Sequence, residues 1–436
     1  MWHTLWTAKA GVCQGGVAGD GIAAVQAVDT MSFFQVLMIA EMMKKSDCPD
    51  GSGLFLPGYC ISLLCSGAEY FPALIGAIKA AKQEIYLQTY IFADDATGQA
   101  VSAALCDAAR RGVSVRVMVD GFGGEDFPEK IRPALVAEGV EVLIFRPRRR
   151  WSLPGRFHLR RLHRKLCVVD RSVAFAGGIN VIDDRNTPQP MGPRFDFAVE
   201  VKGPVVAGIH ASMIRLWRVV SLTQLRRRGV FPCGEFPSGG MAGSQRVGFL
   251  LRDNLRYRHA IEQAYLAVIA NAREEIILSN AYFLPGRRLM RAILDAARRG
   301  VRVSLLLQGR IEYGFQHYAT QSYYATLLEA GVRIFEYQES FLHAKVAVID
   351  GQWATVGSSN VDPFSLLLAR EANVVVDDAA FAASLRAELM EAIEQRSREI
   401  AREHWRHSSA GAGFLQRISY ALLRACVVFV CPAEPY

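Results

Sequence analysis

Two histidine–lysine pairs carry the chemistry this sequence can do. "LHRKLCVVDRSVAFAGGIN" runs from Leu162 to Asn180, and "LHAKVAVIDGQWATVGSSN" repeats it from Leu342 to Asn360. The copies stand 180 positions apart, placing His163 on His343, Lys165 on Lys345, Asp170 on Asp350, Gly177 on Gly357 and Asn180 on Asn360. Side chains two apart on a strand point the same way, so each histidine shares a face with its lysine. Asp170 and Asp350 lie at an odd offset, which sends them to the opposite face or into the turn. By parity they are structural supports.

A neutral imidazole beside an ammonium suits work on a phosphodiester. The lysine neutralises phosphate oxygens as charge develops in the transition state. The histidine can attack phosphorus or pass a proton to a leaving oxygen. One histidine cannot do both jobs at once, and a second copy across a pseudo-twofold axis supplies the other. After the strands come "AGGIN" and "VGSSN". There Gly178 lets a backbone N–H approach an anion, while Asn180, Ser359 and Asn360 add donors. Each imidazole also needs an acceptor for its second nitrogen, to fix the tautomer. The candidates are Asp196 in "RFDFAVEV", 33 residues after His163, and Glu371 in "LAREANVVV", 28 after His343. A lone HxK would read as an ordinary surface pair; two copies with matching downstream Gly, Asn and acid do not.

The elements that must hold these residues are duplicated too. "ALCDAARRGVSVRVMV" returns as "AILDAARRGVRVSLLL", "AEGVEVLIF" as "EAGVRIFEY" and "EIYLQTYIF" as "EIILSNAYF". Each half reads as a helix, an apolar strand, a helix ending in "AARRG", a Val/Leu-rich strand buried on both sides, a further helix, a short strand and the His–Lys strand. Alternating units of this kind predict an α/β fold: two similar halves, each with a central mixed sheet flanked by helices, sharing one active site. The boundaries fall at 1–52 for an N-terminal extension, 53–225 and 246–403 for the halves, 226–245 for a Gly/Pro/Ser-rich linker and 404–436 for an apolar and basic tail. Within the extension, "MSFFQVLMIAEMMKK" reads as either an interfacial amphipathic helix or a packing helix. The first half also carries an arginine-dense insert, "RPRRRWSLPGRFHLRR", which lengthens the path from Gly139 to His163 to 24 residues against 12 from Gly331 to His343.

Bulk properties narrow the partners. The chain has 436 residues, 51% of them hydrophobic, and a formal net charge of +8. An anionic partner is implied, whether nucleic acid, an acidic membrane surface or a phosphate substrate. The nine cysteines are scattered without a CxxC pair. Neither a disulfide framework nor a zinc site is signalled, reduced thiols are expected, and Cys167 within the motif reads as a small core residue. No segment reads as a clean membrane span or a secretory signal.

At these residues the sequence resembles the phospholipase D superfamily, whose HxKxxxxD signature stands complete as "HRKLCVVD" and "HAKVAVID". The flanking phrases "FDFAVEVKGPV", "LRDN", "NAYFLPG" and "VGSSNVDPFSLLLAREANVVV" are similar to the bacterial cardiolipin synthase branch, in particular its B type. The resemblance implies His163, Lys165, Asp170, His343, Lys345 and Asp350 as the catalytic signature, with no metal and no cofactor. One histidine forms a phosphatidyl intermediate and the other serves as acid and base, while Lys165, Lys345, Asn180 and Asn360 grip the phosphate. It implies phosphatidylglycerol as the phospholipid substrate and an anionic membrane surface as partner. The place it implies is the cytoplasmic side of the bacterial inner membrane, as a peripheral protein. Three other readings stay open on the motif alone: a lipid hydrolase, a nuclease and a non-catalytic scaffold. The nuclease is disfavoured because the basic residues are not interleaved with stacking aromatics, so nucleic acid is not expected as partner.

Overall fold

A computed structural model of the chain describes residues 56–147, 160–224 and 242–402, apart from 189, 255 and 313, together with 418, 419, 421, 422 and 425. The N-terminal segment with its expected helix at 31–45, residues 226–241 of the linker, and most of the arginine insert and of the tail lie outside the described residues.

The first half runs β1 (Leu56–Cys65), α1 (Ser66–Ala80), β2 (Glu84–Thr89), α2 (Ala96–Arg110), β3 (Ser114–Asp120), α3 (Phe127–Lys130), α4 (Arg132–Ala137), β4 (Glu141–Phe145), β5 (Lys165–Val169), β6 (Val173–Gly177), β7 (Phe197–Lys202) and α5 (Val205–Thr223). The second repeats that order as β8 (Gln245–Arg252), α6 (Ala260–Asn271), β9 (Glu275–Asn280), α7 (Arg287–Arg298), β10 (Arg302–Gln308), α8 (Gly314–Gln321), α9 (Tyr324–Glu329), β11 (Arg333–Tyr337), β12 (Lys345–Ile349), β13 (Trp353–Gly357), the added α10 (Pro363–Leu367), β14 (Glu371–Asp377) and α11 (Ala379–Arg396). A short β15 (Ser397–Glu399) closes it.

The repeated "AARRG" has a definite job. Gly112 and Gly300 take φ of +87° and +92°, which ends α2 and α7 at residues without a Cβ penalty. The second arginine then reaches back to the carbonyls that close the preceding helix: Arg111 Nη2 donates to Ile78 O and Ala81 O, and Arg299 Nη2 to Ile269 O and Ala272 O. One tripeptide thus ends a helix and ties it to its neighbour.

All fifteen strands share a mixed sheet in the order β15-β11-β10-β9-β12-β13-β14-β8-β1-β7-β6-β5-β2-β3-β4. In each half the β2–β3–β4 or β9–β10–β11 ribbon is parallel, and the strands from the motif onward are antiparallel. The halves meet at β1 and β8, whose register is irregular between Leu56 and Tyr59. These two strands open the halves and were not expected from sequence: Pro57 and Gly58 read as turn signals and hide β1.

Strands β5 and β12 are buried along their whole length, as their apolar runs predict, and the less aliphatic β2 and β13 beside them are buried as fully. Each half has an outer core under its own helices. A third core draws on both halves, with Val199, Ile209 and Met213 packed in one cluster with Val356, Leu385 and Leu389. Among the described residues α5 is the one helix long and apolar enough to cross a membrane. Its Met213, Trp217 and Val220 are buried in the protein.

Candidate active site

Each histidine sits two residues before its strand, where the backbone leaves its own half and bonds to the other. His163 N and Arg164 N both donate to Arg370 O, at 3.0 and 2.9 Å, and His343 N donates to Phe195 O at 2.8 Å. Leu162 bridges Arg370, and Leu342 bridges Phe195, in matching parallel contacts. The residues that follow Arg370 and Phe195 are the acids Glu371 and Asp196.

The acids therefore serve across the halves. His163 Nδ1 lies 2.9 Å from Glu371 Oε1, and His343 Nδ1 lies 2.6 Å from Asp196 Oδ2. In sequence each acid counts from the histidine of its own half; in the fold the partners are exchanged, because the residue before each acid is the one that bridges outward. A carboxylate can only accept, so Nδ1 carries the hydrogen and Nε2 keeps its lone pair. Burial holds His343 down at about 3, helped by the Lys345 ammonium and opposed by Asp196. Burial likewise lowers His163, with Lys165 adding to the effect and Glu371 opposing it. Both rings are neutral at physiological pH, as a nucleophile and a base need to be.

The carboxylates and lysines complete the set. Burial alone would raise Glu371, but His163, Lys165 and the Ser358 hydroxyl together hold it below the ordinary carboxylate range. Lys165 Nζ donates to His163 O at 2.6 Å and stands 5.6 Å from the Tyr90 ring centre; Lys345 Nζ donates to His343 O. Both lysines are buried, which pulls Lys165 down to about 7 and lowers Lys345 as well.

The two histidines open into one cavity of about 340 Å³, lined also by Asn180, Asn360, Arg161 and Arg194. Asn180 Oδ1 accepts from Ile91 N at 3.1 Å, so its NH₂ is left for a ligand. Arg161 stacks on Phe122 at 4.8 Å, and one Arg194 nitrogen, Nη1, is buried without a partner among the described residues. Two guanidinium groups and amide donors, with the carboxylates of Asp184, Asp196, Glu312 and Asp362 also in the wall, line a space large enough for a phosphodiester and part of an alcohol.

Other sequence candidates stand elsewhere. Gly178 gives its N–H to Phe197 O, and a Cβ there would lie 2.3 Å from Asp196 Oδ1. It makes room for the carboxylate and offers no N–H to an anion. Ser359 is buried, its Oγ donating to Asn360 O at 3.3 Å, and is not among the cavity residues. Asp170 and Asp350 lie at the far ends of β5 and β12, at φ of +48° and +50°. Asp170 accepts the N–H groups of Lys82, Gln83 and Glu84, and Asp350 those of Arg273, Glu274 and Glu275. Although they belong to the signature, neither reaches the cavity. Cys167 is buried in the first-half core, where burial pushes its thiol up to about 12.

Several residues of the site escaped the sequence reading. Ser358 Oγ donates to Glu371 Oε2 and so fixes that acid. Asp120 accepts Leu162 N at 2.8 Å and Gln308 accepts Leu342 N at 3.0 Å, which sets the approach of each histidine. Their signal was present as the repeated strand ends "VMVD" and "LLLQ". Among the described residues no group of three or more His, Cys, Asp or Glu converges in a metal-holding arrangement.

Comparison with known proteins places this geometry. Residues 74–217 and 265–393 match the family described as "Cardiolipin synthase, PLD-like domain". The Cardiolipin synthase B of Escherichia coli (strain K12) is 37% identical over 342 residues, spanning 76% of this chain and 80% of that protein. A cardiolipin synthase of Geobacillus kaustophilus (strain HTA426) is 31% identical over 313 residues, 72% of this chain and 62% of the relative. In fold, the crystal structure of phosphatidylserine synthase from Haemophilus influenzae Rd KW20 is similar at a TM-score of 0.63 and 15% identity, covering 86% of this chain and 96% of that one.

Proposed function

The chain belongs to the phospholipase D-like cardiolipin synthase family, and from that premise we propose that it moves a phosphatidyl group from one phosphatidylglycerol to another, giving cardiolipin and glycerol. The observation that carries this reading is the pair of neutral histidines in one cavity, each held at Nδ1 by an acid of the other half. Nε2 of one neutral ring attacks phosphorus while the other, which takes up a proton at Nε2 once the phosphodiester anion is bound, gives that proton to the glycerol oxygen as the P–O bond breaks. The roles then reverse: the second histidine takes the proton of the incoming hydroxyl, whose oxygen bonds to phosphorus as the P–N bond breaks. Lys165, Lys345, Asn180 and Asn360 hold the phosphate oxygens through both steps.

A membrane surface as partner is supported by where apolar side chains are exposed. Phe122 is 49% exposed, Ile311 56% and Phe315 38%. Phe122 and Ile311 stand on the loops after β3 and β10 and Phe315 at the start of α8, beside the cavity residues Arg161, Glu312 and Gln316. Apolar tips round a mouth that carries Arg161 and Arg194 suit a peripheral enzyme resting on anionic lipid at the cytoplasmic face of the membrane.

The test is a product assay with phosphatidylglycerol vesicles. Cardiolipin with an equal amount of glycerol is expected; phosphatidic acid alone would make the protein a hydrolase and overturn the reading.

A further inference from the structure

The two sides of the cavity differ in a way the repeat makes measurable. Residues at matched positions are satisfied in the first half and left open in the second. Asp120 accepts three backbone N–H groups, from Leu162, Phe122 and Gly123. Its counterpart Gln308 uses Oε1 on Leu342 N, while its Nε2 is buried with no partner among the described residues. Asn180 Oδ1 accepts Ile91 N, whereas Asn360 Oδ1 is buried and unpartnered. Gln316, on α8, adds a third such atom, Oε1. Gln308 and Asn360 are 8% and 4% exposed, so water does not compensate them freely.

These atoms gather at one place. Gln316, Asn360, Tyr282 and Glu312 line the main cavity, and Gln308 lines a recess that shares Tyr282, Glu312 and Gln316 with it. Tyr282 Oη donates to Glu312 Oε2 at 3.0 Å, which sets the phenol and the carboxylate side by side in this wall. The recess abuts the second motif, since Gln308 holds Leu342 beside His343. The first-half residues of the cavity, in contrast, include the guanidinium groups of Arg161 and Arg194. Buried amides that lack partners carry a desolvation cost until a ligand supplies them.

Resting on the phosphatidyl-transfer reading, we infer that the second-half wall of the cavity, where this recess of about 10 Å³ opens into the main space and takes a single hydroxyl, is a polyol subsite that selects the acceptor alcohol. Each hydroxyl of a glycerol headgroup offers one donor and two acceptor positions; the recess presents the Gln308 N–H, the Gln316 oxygen, a phenol and a carboxylate, and the adjoining cavity wall adds the Asn360 oxygen. The hydroxyl held there faces the second histidine. Its oxygen bonds to phosphorus, the P–N bond to His163 breaks, and its proton passes to His343. Departing glycerol leaves from the same subsite in the first step, which makes the site one for glycerol in both directions. A site built to bond hydroxyls discriminates strongly against a ligand that lacks them, so the subsite favours a diol over single waters.

The experiment compares the wild-type chain with Gln316→Leu and Tyr282→Phe on phosphatidylglycerol vesicles, with labelled free glycerol added. Gln308 is left intact because it also holds Leu342. Cardiolipin, phosphatidic acid and label incorporated into phosphatidylglycerol are counted for the same donor consumed. The expected result is a fall of about tenfold in the ratio of cardiolipin to phosphatidic acid for each variant, with label exchange falling alongside. Cardiolipin and phosphatidic acid declining in step would overturn the subsite. So would loss of cardiolipin with label exchange retained, since a contact with the lipid tails, and not with the polyol, would then be at work. Failure of the transfer reading itself is separate: the wild type would then make phosphatidic acid alone.

Discussion

The two halves repeat one design, and they differ where each completes the other. In the first half Gly178 opens space for Asp196, which reaches His343. In the second, Ser358 occupies the matching place and donates to the longer Glu371, which reaches His163. A shorter acid beside a glycine and a longer one beside a serine arrive at the same task. The lesson is that neither half completes a histidine by itself: the carbonyl that accepts its backbone N–H and the acid that orients its ring both come from across the interface. Duplication supplied two similar histidines, and exchange of their supports makes one site of them.

The largest effect expected from breaking this arrangement is loss of either ring. His163→Ala and His343→Ala should each lower cardiolipin formation by roughly ten-thousand-fold, because one histidine cannot attack and transfer the proton together. Substantial turnover in either variant would mean that the halves work separately.

Next come the crossed acids. Glu371→Gln and Asp196→Asn should each lower turnover by about 10²–10⁴-fold, since an amide no longer enforces the tautomer. The comparison sharpens when the covalent intermediate is trapped. The variant that supports the nucleophile should show less phosphatidyl-histidine, and the one that supports the base more. Equal trapping in both would remove the division of labour.

How far this was legible in sequence follows from the kind of signal each residue leaves. The histidines, lysines and asparagines were marked by repetition at fixed spacing, and the two acids by nearly matching places, 33 and 28 residues after the histidines. The α/β halves were marked by Val/Leu-rich runs and the "AARRG" helix ends. The exchange of acids left no trace, because spacing along a chain does not say which half a strand end will touch. Gly178 was read as an anion cradle when its lack of a Cβ serves a carboxylate. Ser358 stands in the quoted motif, but nothing in its spacing ties it to an acid 13 residues away. β1 was hidden by Pro57 and Gly58, which interrupt an otherwise apolar strand.

A smaller effect is the pH dependence. Burial pulls Lys165 down to about 7, so in the free protein its ammonium is present below that pH and lost as pH rises through it. Both histidines are lowered from the ordinary imidazole value. kcat/KM should therefore fall above about pH 7 by up to tenfold per pH unit, and Lys165→Arg should abolish that alkaline limb at a reduced plateau. An alkaline limb near the ordinary lysine value would contradict the placement of this ammonium.

The smallest effect on chemistry belongs to the aspartates outside the cavity. Asp170→Asn and Asp350→Asn should each cost about 1–3 kcal/mol of stability while leaving turnover per folded molecule close to wild type. Burial opposes its ionisation, yet three backbone N–H groups and Arg273 hold Asp350 below the ordinary carboxyl value. Its stabilisation is present above the unfolded carboxyl range and lost as pH falls through the folded value, so Asp350→Asn should flatten the acid side of a melting profile. A large loss of activity without a change in Tm would return these residues to the site.

The exchange of acids is tested most directly by proton NMR of the two Nδ1–H groups, using histidine-labelled protein and assigning the low-field signals with His163→Ala and His343→Ala. Glu371→Gln should shift upfield the signal that vanishes in His163→Ala, and Asp196→Asn the one that vanishes in His343→Ala. The opposite correspondence, with each acid acting on the histidine of its own half, would contradict the shared site described above.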